Sequence, residues 1–117
     1  MEPDSGGGAR VVLMTAPDLP SAEAIARALV ERRLAACVNL VPGVRSIYRW
    51  KGAIEDASEV LLVAKTVAGR VGALQEALGE LHGYEVPEMV ALEAGRVAPR
   101  YLEWLRAETS GAEAREP

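Results

Sequence analysis

Ala36 to Gly52 reads ACVNLVPGVRSIYRWKG, and the way this stretch lies decides the fold. Beyond Pro42-Gly43 it alternates. Val44, Ser46, Tyr48 and Trp50 fall on one face while Arg45, Ile47, Arg49 and Lys51 fall on the other, a period of two that no helix produces. The stretch is therefore expected to be one long strand, bulged at Pro42-Gly43. At ~3.3 Å per residue it reaches ~50 Å, whereas a compact chain of this size is only ~35 Å across. Part of it must overhang its own domain. An overhang carrying Ile47, Tyr48 and Trp50, with unpaired backbone donors and acceptors, aggregates unless partner chains cover it. A homo-oligomer follows as the first expectation.

Working outward, 117 residues make one domain, and 50% hydrophobic residues suffice for one core. The formal net charge of −4 argues against nucleic acid and anionic membranes as partners, since both need a basic surface. Residues 1 to 58 carry seven basic and seven acidic side chains and residues 59 to 117 carry six and ten, so the second half is the acidic one. No run approaches the ~18 apolar residues of a membrane helix, and the start MEPDSGGGAR lacks the basic and apolar regions of a signal peptide. The expected location is cytoplasmic. The single cysteine makes no intrachain disulfide, which agrees with a reducing compartment. Eleven of the 13 basic residues are Arg, and Asn and Gln occur once each. Either a GC-rich genome or selection against thermolabile amides produces that bias.

In chain order, residues 1–9 hold three consecutive glycines and are expected to form a mobile arm ahead of a single domain over 10–109. Val11 to Thr15 reads as a short buried strand ended by Ala16-Pro17-Asp18. A helix follows, with Ser21 as its N-cap and Ala22, Ile25, Ala26, Leu29 and Val30 at helical spacing. After the long strand, Glu55 to Glu59 reads as an acidic loop and Val60 to Lys65 as a strand pairing back as a hairpin. Thr66 is expected to cap the next helix, whose stripe is Val71, Leu74, Leu78 and Leu81, and Gly83 to end it in the left-handed conformation. Met89 to Ala94 reads as the last strand. Pro99 opens a final helix running to about Glu108, and 110–117 reads as a frayed tail. Strand, helix, strand, strand, helix, strand matches the α+β ferredoxin-like plan, a split βαβ sandwich, here with an extra C-terminal helix. Val60, Leu62 and Ala64 point one way and Leu61 and Val63 the other, so the sheet face without helices also needs cover.

Five blocks in order carry a resemblance: TAPD at Thr15, LAACVNLVPGVRSIYRWKG at Leu34, EVLLVAKT at Glu59, HGYEVPEMVAL at His82 and YLEWL at Tyr101. Together they resemble the CutA divalent-cation tolerance family. The resemblance implies a tight homotrimer with strands continued between subunits, a shape shared with PII signalling proteins, and a link to tolerance of copper and other divalent metals. It also implies metal ligands at the positions occupied here by Met14, Leu81 and His82. Leu81 offers no donor atom. Gly83 stands where the family block usually has Pro.

Each candidate has a structural reading beside the functional one. Met14 could hold a soft Cu(I) ion through its thioether or simply fill the core. His82 could ligate a metal or favour the end of its helix. Cys37 could supply a thiolate or be a small buried hydrophobe. Trp50, Glu59, Lys65, Tyr84 and Glu85 could gather at a subunit boundary, as ion pairs of a rim or as a pocket repeated at each interface. No HExxH, GxSxG, P-loop or CxxC pattern occurs, so no enzyme is expected. Two functions remain: a cation-tolerance protein that binds copper or another divalent cation weakly, and a PII-like scaffold holding a small anion through Lys65 and nearby Arg.

Overall fold

A computed structural model describes Gly6 and residues 8–110. Chain order is β1 (Ala9–Ala16), α1 (Leu19–Glu31), β2 (Cys37–Trp50), β3 (Ala53–Val67), α2 (Ala68–Leu81), β4 (Met89–Glu93) and α3 (Pro99–Glu108). The four strands form one sheet in the order β2-β3-β1-β4, with every pairing antiparallel. This is the split βαβ plan expected from the element order, with α3 added.

Alternation along the two central strands creates two apolar faces. Val12, Met14 and Ala16 of β1 and Val60, Leu62 and Ala64 of β3 pack against Ala22, Ile25 and Leu29 of α1 and Leu74, Ala77 and Leu78 of α2. Burying each of the larger aliphatic side chains contributes ~1.5–3 kcal/mol, so this layer is the main core. The opposite face sets Val11 between Leu92 and Lys65, and Leu13 between Val90 and Val63. Among the described residues, one end of it is covered, where Leu105 of α3 meets Ala9 and Ala36 with Val67 and Leu102 alongside. Val90 and Leu92 each remain 47% exposed.

The β2–β3 hairpin projects from this body. Its register shifts between Val41 and Val44, where Gly43 at φ 76° supplies the left-handed residue of the bulge. Beyond the bulge, pairing runs to Trp50 opposite Ala53, closed by Lys51 and Gly52 with φ of 50° and 83°. Positive φ at both positions is the two-residue turn that matches strand twist. The projection gives the chain a radius of gyration of 15.1 Å and a longest extent of 45 Å. A compact chain of this length has a radius of gyration of about 13 Å.

Four local expectations are corrected. Asp18, not Ser21, caps α1: its Oδ1 accepts the Ser21 N–H at 2.8 Å, and Pro20 sits in the first turn, where it needs no partner for nitrogen. Glu55 to Glu59 is strand rather than loop, because it pairs residue by residue with Val44 to Tyr48, and Arg45 binds both oxygens of Asp56 across the hairpin at 2.9 and 2.7 Å. Thr66 lies in β3, fully buried, and donates to the Leu34 carbonyl at 2.7 Å. Gly83 is not left-handed; α2 instead ends as His82 turns to an extended conformation at φ −91° and ψ 143°. Most of the arm expected over 1–9 and of the tail expected over 110–117 lies outside the described residues, although β1 already begins at Ala9. No helix among the described residues is long and apolar enough to cross a membrane.

Candidate functional site

Along the projecting hairpin, from Glu59 of β3 at its base to Tyr48 and Trp50 of β2 towards its tip, one row of side chains faces the α2–β4 loop. Val44 pairs with Glu59, and a period of two carries Tyr48 and Trp50 onto the same side. The loop Gly83 to Glu88 closes over them, and with Thr15 these residues line a cleft of about 560 Å³. Its charged lining is Glu59, Glu85 and Glu88, with no basic side chain.

Glu59 is only 6% exposed, and its Oε2 accepts the Tyr84 hydroxyl at 2.7 Å. Burial, reinforced by this hydrogen bond and by the Glu59 charge, holds the Tyr84 hydroxyl well above the usual tyrosine range. His82 fixes the loop from behind. Its Nε2 lies 2.6 Å from the Thr15 carbonyl, and its Nδ1 accepts the Tyr84 N–H at 3.1 Å. With Nδ1 accepting, it is Nε2–H that faces the Thr15 carbonyl. The His82 and Tyr84 rings lie 4.4 Å apart. At the lip, the Lys51 ammonium is 3.7 Å from Glu85 and 5.6 Å from the centre of the Trp50 ring.

Of the residues singled out by sequence, Trp50, Glu59, Tyr84 and Glu85 line this cleft and His82 braces it. Lys65 does not reach it within one chain. It lies six residues along β3 from Glu59, opposite Cys37, and its ammonium donates to the Asn39 side-chain oxygen. Cys37 is half-buried beside the same oxygen, with Sγ at 3.9 Å. Met14 is fully buried in the helix-side core. No group of three or more His, Cys, Asp or Glu among the described residues is placed to hold a metal ion. Sequence reasoning passed over Tyr48, Lys51 and Glu88. The same alternation that singled out Trp50 identifies Tyr48, whereas Lys51 and Glu88 need the turn and the loop to be placed.

The family model described as CutA1 divalent ion tolerance protein matches residues 10–108. A divalent-cation tolerance protein CutA from Thermus thermophilus is 50% identical over 99 residues, which cover 85% of this chain and 96% of that one. Protein CutA from Mus musculus is 48% identical over 103 residues, covering 88% of this chain but 58% of the mouse protein. The crystal structure of CutA from Xylella fastidiosa superposes with a TM-score of 0.86 at 45% identity, over 88% of this chain and 99% of that one. The hairpin, the sheet order and the sequence blocks agree with these matches, and the chain belongs to the CutA1 divalent ion tolerance family.

Proposed function

We propose that this chain acts in tolerance of divalent cations as a homotrimer that binds copper or a similar ion weakly, rather than by catalysing a reaction. The observation that carries the cation-binding reading is the lining of the cleft. It presents three carboxylates and no basic side chain, with the chain's one histidine directly behind Tyr84. Such a surface attracts cations and repels anions.

The same geometry argues for weak binding. A metal ion would take the Nδ1 lone pair of His82 only by displacing the Tyr84 N–H. Opening the loop costs affinity, so micromolar binding or weaker is expected, about −8 kcal/mol or less favourable. Met14 is buried in the helix-side core, and Cys37 lies opposite Lys65, six residues along β3 from Glu59.

Assembly follows from the uncovered face at Val90 and Leu92 and from the hairpin, where Ile47 is 65% and Ile54 61% exposed. Partner copies would cover both. The half-buried single thiol agrees with a cytoplasmic, reducing location. The anion-binding alternative finds less support, because Lys65 is engaged with Asn39 at the far end of β3.

Titration calorimetry with copper under reducing conditions tests the reading. Copper binding in the micromolar range or weaker is expected, and His82→Ala should weaken it further. Nanomolar binding that survives His82→Ala would refute the assignment.

A further inference from the structure

We draw no further inference here: the strongest candidate, the cavity of about 360 Å³ between the N-terminus of α2 and the end of α3, rests on a helix N-terminus alone, since Arg70, whose buried Nη2 has no hydrogen-bond partner, does not line it and no second feature among the described residues points to a ligand there.

Discussion

The Tyr84 hydroxyl donates to the buried Glu59 carboxylate across 2.7 Å, tying the α2–β4 loop to the strand from which the hairpin projects. His82 holds the same loop from the other side through the Tyr84 N–H. Removing the hydroxyl leaves a carboxylate buried without its donor. Tyr84→Phe should therefore lower stability by ~1–3 kcal/mol, read as a lower melting temperature. An unchanged melting temperature would mean that the contact contributes nothing.

The same pair sets a dependence on alkaline pH. The Tyr84 hydroxyl is raised above its usual pKa, chiefly by burial and then by Glu59. Its contribution to stability is then fully present below the unfolded value of ~10 and is lost as pH rises through the higher folded value. Melting temperature followed upward from pH ~8 should fall above ~10, and Tyr84→Phe should flatten part of that fall. Tyr101 is also raised, by burial and by Cys37, so some slope should remain.

Trp50 tests the hairpin as a subunit boundary. It is 37% exposed in the single chain, and in the proposed trimer a partner would cover it. A carboxylate there would be desolvated without a partner and set beside Glu59, Glu85 and Glu88. Trp50→Glu should dissociate or unfold the assembly, because that costs several kcal/mol, beyond the ~1.5–3 kcal/mol of a lost apolar side chain. If the variant keeps both its native mass and its melting temperature, Trp50 is not at an interface.

Cys37 separates thiol chemistry from packing. The only hydrogen-bond contact of its thiol among the described residues is the long one to Asn39 at 3.9 Å. Cys37→Ser should leave copper affinity unchanged under reducing conditions, with any effect confined to stability. Loss of binding in that variant, with His82→Ala still binding, would move the metal site to the other end of β3.

The sequence made the architecture legible because alternation and helical spacing are properties of consecutive residues. The split of Val60, Leu62 and Ala64 from Leu61 and Val63 correctly implied a sheet with two apolar faces. Pro99 marked the start of α3. Reasoning failed where a distant partner decides local structure. Glu55 to Glu59 looked like an acidic loop until Val44 to Tyr48 paired with it and Arg45 bound Asp56, and Thr66 looked like a cap until Leu34 supplied a carbonyl for its hydroxyl. The cleft was partly legible for the same reason. Trp50, Glu59, Tyr84 and Glu85 come together, but within one chain Lys65 remains with Asn39, a separation set by strand register that composition does not contain.

In the proposed trimer, copies of the chain would cover the exposed Val90 and Leu92 and the projecting hairpin. The native mass, measured by sedimentation across a dilution series down to micromolar protein, tests this most directly. The expected result is a single species of three chains with no monomer on dilution; a monomer that grows as protein is diluted would contradict it.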